Sequence, residues 1–222
     1  MRINKYVAQA TGLSRRHIDN LISQNKILIN DSPAKLGQDV KAIDEIKINE
    51  KVIKLTNNKV LVILNKKADY VCSRQGQGSK TIYDLLPHKY KDLKSVGRLD
   101  KDSSGLLLMT NDGDLANKLS HPKYQKTKIY HLKLNREVTD LDLHKINKGI
   151  QLTDGVSQIK VKRIPSKTYD VQVEMSEGRN RQIRRTFQKL NYKVIKLHRV
   201  AFGEYRLNDI KLGEYKEIKI TD

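Results

Sequence analysis

Near the middle of the chain Leu106, Leu107, Leu108 and Met109 follow one another without a polar break, bounded on both sides by polar, turn-forming residues. A short continuous run of this kind reads as a strand buried on both faces, and it limits the fold more than any other stretch. The run lies inside Gly97 to Gly113, GRLDKDSSGLLLMTNDG, so Asp100 and its neighbour Arg98 stand at the mouth of a rigid element rather than on a free loop. An aspartate in a turn commonly does no more than hydrogen-bond its own backbone. A calcium loop is a second reading, since Asp100, Asp102, Ser104 and Gly105 imitate its start. That loop needs a bidentate Glu at its twelfth position, where this chain has Asn111, and a hydrophobic strand cannot wrap an ion. No metal is expected.

Charge narrows the function. Lys and Arg number 44 against 25 acids, a formal net charge of +19, which calls for a polyanionic partner, most commonly nucleic acid. An anionic membrane is the competing partner, but no apolar stretch approaches the roughly 20 residues of a spanning helix, and the N-terminus has no signal-peptide core. The single cysteine, Cys72, excludes an internal disulfide and a cysteine-based zinc site. These features predict a cytoplasmic protein that does not engage membranes.

Two units are expected, 1–56 and 60–222, with polar, non-periodic Thr56 to Lys59 between them. In the first, Ile3, Val7 and Ala10 recur at helical spacing, Gly12 closes that helix, and Ser14 caps a second one carrying Ile18, Leu21 and Ile22. Lys26 to Asn30 and Glu45 to Asn49 follow as strands, with a turn at Asp31, Ser32 and Pro33. This helix-helix-strand-strand order resembles the small RNA-binding module first known from a ribosomal protein. The resemblance puts Arg15, Arg16 and Lys26 on RNA phosphates; their plain alternative is a solvated helix face.

In the second unit KTKIYHLKL, Lys126 to Leu134, alternates, so Tyr130, Leu132 and Leu134 share the inward face. A helix from Thr139 to Lys148 should bury Leu141, Leu143 and Ile146. Gly178 to Val200 carries Arg179, Arg181, Arg184, Arg185, Lys189, Lys193, Lys196 and Arg199 and no acid, an electrostatic footprint for a phosphate backbone. On the helix within it Arg181, Arg185 and Lys189 cluster opposite Ile183, Phe187 and Leu190, with Arg184 on the border. A guanidinium so placed should seek bidentate pairing with a carboxylate, and Asp100 is the candidate.

The string GRLDKDSSGLLLMTNDG, the tyrosine of KIYHL and the segment EGRNRQIRR, in that order, closely resemble the pseudouridine synthases that modify ribosomal RNA. With the N-terminal module the resemblance covers nearly the whole chain. It implies an α+β protein: an α-α-β-β RNA-binding module joined to a mixed, mainly antiparallel-sheet catalytic domain. It makes Asp100 the catalytic aspartate, Tyr130 the active-site tyrosine that stacks on the base, Arg184 the arginine set against Asp100, and Ile183 part of the uracil pocket. Arg98 would fill the space left by the flipped base or bind phosphate. Arg179, Arg181 and Arg185 would hold substrate, and no cofactor is needed, because isomerisation neither gains nor loses atoms. The partner would be ribosomal RNA or an assembly intermediate, met by a monomer. Asn111 to Asn117 and Glu177 to Arg181 lie nearer the large-subunit members. A non-catalytic ribosome assembly factor, a small-subunit synthase and a metal-dependent nuclease are the competing functions.

Overall fold

The computed structural model describes residues 1–55 and 58–218. The N-terminal unit opens with α1 (Ile3–Thr11), which buries Ile3, Val7 and Ala8 and ends at Gly12 in the left-handed conformation, φ 74°. In α2 (Arg15–Ser23) the Ser14 side chain accepts from His17 N at 3.1 Å, satisfying one free amide of the first turn, and Ile18 and Ile22 point inward. Strands β1 (Ile27–Ile29), β2 (Ser32–Pro33), β3 (Ile46–Ile48) and β4 (Lys51–Ile53) form an antiparallel sheet in the order β2-β1-β3-β4. The turn falls at Asn30 and Asp31, both with positive φ, so Ser32 and Pro33 pair with β1 instead of turning. Ile3, Val7, Ile18, Ile22, Ile27 and Ile46 make a core of their own. Of the expected linker, Thr56 and Asn57 lie outside the described residues.

The remaining chain is built on one mixed sheet. Its elements are β5 (Leu61–Lys66), β6 (Lys94–Val96), β7 (Ser104–Thr110), α3 (Gly113–Ser120), β8 (Lys128–Leu134) and α4 (Asp140–Lys148). They continue with β9 (Ile150–Leu152), β10 (Gly155–Ser157), β11 (Lys160–Arg163), β12 (Val171–Met175), α5 (Gln182–Gln188), β13 (Val194–Phe202), β14 (Tyr205–Arg206) and β15 (Tyr215–Ile218). The sheet runs β11-β12-β8-β13-β7-β5-β15, with β6 on β7 and β14 on β13, while β9 and β10 form a separate hairpin. All its pairings are antiparallel except β13 with β7.

The apolar run is the strand it promised. Leu107 and Met109 enter one cluster with Tyr130, Leu132, Ile183 and Phe187, whereas Leu106 and Leu108 enter another, on the other face, with Leu61, Ile63 and Phe202. The parallel pairing joins only Ser104 to His198 and Gly105 to Arg199. Gly105 has φ +106°, and a Cβ there would lie 2.2 Å from the Arg199 carbonyl oxygen, so only glycine lets the backbones come this close. The strands part beyond this point, and β6 takes over the same edge of β7.

Helix α4 differs from its expected pattern. Ile146 is buried and Leu143 packs beside it, but Leu141 is 64% exposed. Five residues at about 100° each put Leu141 some 140° away from Ile146, off the packed face. Asp112 caps α3 by accepting from Asp114 N and Leu115 N. Among the described residues no helix is long and apolar enough to cross a membrane.

Candidate active site

The rigid element delivers the acid. Between Leu99 and β7 the chain makes a turn closed by Ser103 N on Asp100 O at 3.1 Å, leaving the Asp100 side chain half-buried. Beneath the turn lies Lys66, wholly buried at the end of β5. Its ammonium donates to the carbonyls of Ser103 at 2.7 Å, Lys67 at 3.0 Å and Asp100 at 3.1 Å. Burial pushes the Lys66 pKa down, while Cys72, Asp102 and Asp100 pull it back. Three short donors on three carbonyls satisfy this ammonium in full, and they tie the acid-bearing turn to the sheet. Sequence reasoning passed over Lys66 because a lysine at a strand end ordinarily points to solvent.

A cavity of about 900 Å³ opens above this turn. Arg98, Asp100, Tyr130, Arg179, Arg181, Ile183 and Arg184 all line it, so the structure brings together most of the residues singled out in the catalytic unit. Tyr130 points inward from β8 and is 8% exposed. Ile183, in the first turn of α5, is buried beside it. Arg98 is exposed at the rim and has no hydrogen bond or ion pair among the described residues. Arg185 stands outside the cavity, and Arg15, Arg16 and Lys26 lie on the N-terminal unit.

The arginines of α5 and its approach depart from expectation. Arg184 does not pair with Asp100. Its Nη1 donates to Val194 O at 2.8 Å, which turns Nη2 toward Asp102, 3.0 Å from the carbonyl oxygen and 3.2 Å from Oδ2. Arg184 therefore fastens the start of β13 to the turn that carries Asp100, acting on the acid through its neighbour. Among the described residues the cation paired with the Asp100 carboxylate is Arg181, whose Nη1 is 3.5 Å from Oδ2 while its fork grips Asp102 at 3.2 and 2.9 Å. Burial works against ionisation of Asp102, but the hydrogen bond from Arg181 and the charges of Arg184 and Arg181 outweigh it and hold the carboxyl below the ordinary 3.8. The sequence offered two acids two residues apart, and only packing decided which one took the guanidinium groups.

Arg179 and Arg185, expected on phosphate, both bind Asp154 in the turn between β9 and β10, at 3.0 and 2.8 Å. Arg179 also donates to the carbonyls of Asp154, Gly155 and Val156. They hold the hairpin against the start of α5. Two further residues stand in the cavity wall: Arg199, expected with its basic run on a phosphate backbone, and Lys128, which the sequence did not single out. Burial and the neighbouring Arg199 push the Lys128 pKa down.

An acid at the end of a buried strand, an inward tyrosine and a small N-terminal unit with its own core define a class, and comparison with known proteins names it. Residues 60–189 match the RNA pseudouridylate synthase family and residues 1–46 match the S4 domain. The chain belongs to the RNA pseudouridylate synthase family; it is a pseudouridine synthase, an intramolecular isomerase, with an N-terminal S4 domain. Among its relatives is the Ribosomal large subunit pseudouridine synthase B of Bacillus subtilis (strain 168), 32% identical over 223 residues, 98% of this chain and 91% of that protein. The Dual-specificity RNA pseudouridine synthase RluF of Escherichia coli (strain K12) is 32% identical over 221 residues, 98% of this chain and 75% of that one. A crystal structure of a pseudouridylate synthase superposes with a TM-score of 0.71 at 30% identity, covering 99% of this chain and 96% of the other.

Proposed function

We propose that the enzyme isomerises a uridine of large-subunit ribosomal RNA, with Asp100 and Tyr130 as its catalytic residues. The reading rests above all on one observation: a half-buried carboxylate, Asp100, shares a cavity with the buried ring of Tyr130 and the unpaired Arg98. A uridine cannot be attacked inside a helix, so it is flipped out at a cost of a few kcal/mol. Stacking on Tyr130, worth about 1–3 kcal/mol per base, offsets part of that cost. Arg98 at the rim takes the place of the departed base or a flanking phosphate. Asp100 then acts at the ribose, either by adding to C1′ or by removing the C2′ proton. The N1–C1′ bond breaks, the retained uracil turns, C5 bonds to C1′, and a proton leaves C5 while another is taken up at N1, with Tyr130 as the base or the acid of that exchange. Arg184 and Arg181, through Asp102, and Lys66 position Asp100. Ile183 walls the base, and Arg15, Arg16 and Lys26 meet RNA phosphates from the S4 domain.

Choice of the large subunit is supported by the relative of that name, aligned over 98% of this chain. The test is tritium release from C5-labelled uridine in transcripts of each ribosomal RNA, with wild type and Asp100→Asn. Release from the large-subunit transcript, abolished by the substitution, is expected. Release from the small-subunit transcript alone would reverse the assignment, and release undiminished in Asp100→Asn would remove Asp100 from the chemistry.

A further inference from the structure

Arg199 lies in the wall of the same cavity and is 2% exposed, yet its charge is not answered by the protein. Its Nε donates to Leu106 O at 2.7 Å, which fixes the guanidinium across the parting of β13 and β7. Nη2 is buried with no hydrogen-bond partner, and no carboxylate pairs with the group among the described residues. Arg179 and Arg184 also bury an unpartnered Nε, but each holds a carboxylate. What faces the Arg199 cation is aromatic: the Phe202 ring centroid at 5.1 Å and the Tyr130 ring centroid at 6.0 Å. Desolvating an ion costs several kcal/mol when nothing of opposite charge answers it. Lys66 supplies the contrast within the same domain, equally buried but satisfied by backbone carbonyls. One buried cation is complete as it stands, and the other lacks an acceptor beside the Tyr130 ring in the cavity wall.

We propose that Arg199 is a further catalytic residue, which donates to a carbonyl oxygen of the flipped uracil and holds the ring while it is detached. This rests on the function proposed above. When the N1–C1′ bond breaks its electron pair passes to the uracil, which becomes an anion with charge spread over N1, O2 and O4. The matching positive character at C1′ is met by Asp100 or removed with the C2′ proton. The C5–C1′ bond then forms from the ring's electrons as Asp100 leaves C1′ or the proton returns to C2′; a base takes the C5 proton and N1 takes up a proton, so nothing is gained or lost overall. A fixed guanidinium against O2 or O4 binds the anion more tightly than the neutral base, which is the condition for lowering the barrier.

The experiment compares wild type, Arg199→Gln and Arg199→Lys in single-turnover tritium release, with RNA affinity and thermal unfolding measured on each. Loss of one such donor typically costs about 10²–10³-fold in rate, and we expect that loss in Arg199→Gln with RNA affinity changed less than about threefold, because the group is buried away from the backbone. Arg199→Lys should recover part of the rate. A second arm uses RNA whose target uridine carries sulfur in place of O2 or O4, a poorer acceptor. One of the two should slow wild type about tenfold, as loss of a hydrogen bond of about 1.4 kcal/mol implies, and should slow Arg199→Gln hardly at all. The inference is overturned if both thio-RNAs react with wild type at the parent rate, a result that holds even where Arg199→Gln fails to fold. It is also overturned if the rate lost in Arg199→Gln only follows lost RNA affinity. Wild type that releases no tritium from any ribosomal RNA would instead sink the function itself.

Discussion

Arg15, Arg16 and Lys26 of the S4 domain and the arginines around α5 look alike in the sequence and stand in opposite surroundings. Arg16 and Lys26 are exposed with no ion pair among the described residues, and Arg15 donates only to the neutral Asn4 at 2.9 and 3.2 Å. Around α5, Arg179, Arg181, Arg184 and Arg185 each hold a carboxylate, through Asp154, Asp102 or Asp100. Charge left in solvent is available to phosphate and answers to salt. Charge already paired organises the acids it touches and offers phosphate little. Of the excess of +19, Arg15, Arg16 and Lys26 remain without a carboxylate partner among the described residues, whereas the α5 arginines are held by acids at the cavity.

The strongest test of that division is Asp100→Asn. Turnover should fall by about 10⁴-fold or more, as for a residue that takes part directly in bond breaking, while RNA affinity stays within a small factor. A parallel loss of affinity would break the separation. Next comes Lys66→Met, which leaves the carbonyls of Ser103, Lys67 and Asp100 without their donor. Each unsatisfied buried acceptor costs about 1–3 kcal/mol, so thermal unfolding should move down by several degrees and turnover should fall with the Asp100 turn. Unchanged stability would show that the ammonium is not the tie it looks to be.

Arg184→Lys keeps the charge but cannot span Val194 O and Asp102 together. It should lower the turnover rate about tenfold or more, as misplacement of a catalytic group does, with RNA affinity hardly moved. The acid limb supplies a further test. The Asp102 carboxyl titrates below its ordinary 3.8 in the folded protein, so the unfolded chain binds more protons there and stability falls as pH drops from 3.8 through the folded value. Asp102→Asn should remove that share of the acid dependence in unfolding curves recorded from pH 5 downward. An unaltered acid limb would count against the Asp102 clamp.

The smallest effect belongs to the S4 domain. Replacing Arg15, Arg16 and Lys26 singly by Ala should weaken RNA binding uniformly, and each phosphate left without its cation should reduce the slope of log affinity against log salt by about one. The single-turnover rate at saturating RNA should not change. A substitution in this group that altered the rate but not the slope would mean that the S4 domain positions the target base.

Much of this protein is local physics and could be read directly. The four apolar residues from Leu106 to Met109 had to be a strand covered on both faces, because no single exposed face accommodates them, and alternation from Ile129 to Leu134 had to turn Tyr130 inward. Caps at Gly12, Ser14 and Thr139 act within one helical turn, so they are legible too. Resemblance marked Asp100 as the candidate catalytic residue, which no spacing rule could do.

Only the tertiary structure decided which acid each arginine met. Asp100 and Asp102 share a short turn, and the choice between them depends on Val194, far along the chain, holding one end of Arg184. The same holds for Lys66 and Arg199, two cations that composition counts as surface charge and that the sheet buries completely or nearly so. A hydrophobic pattern repeats within a few residues and is written in order. The partner of a buried charge is set by strands that meet from distant parts of the chain, and that is where sequence reading stops.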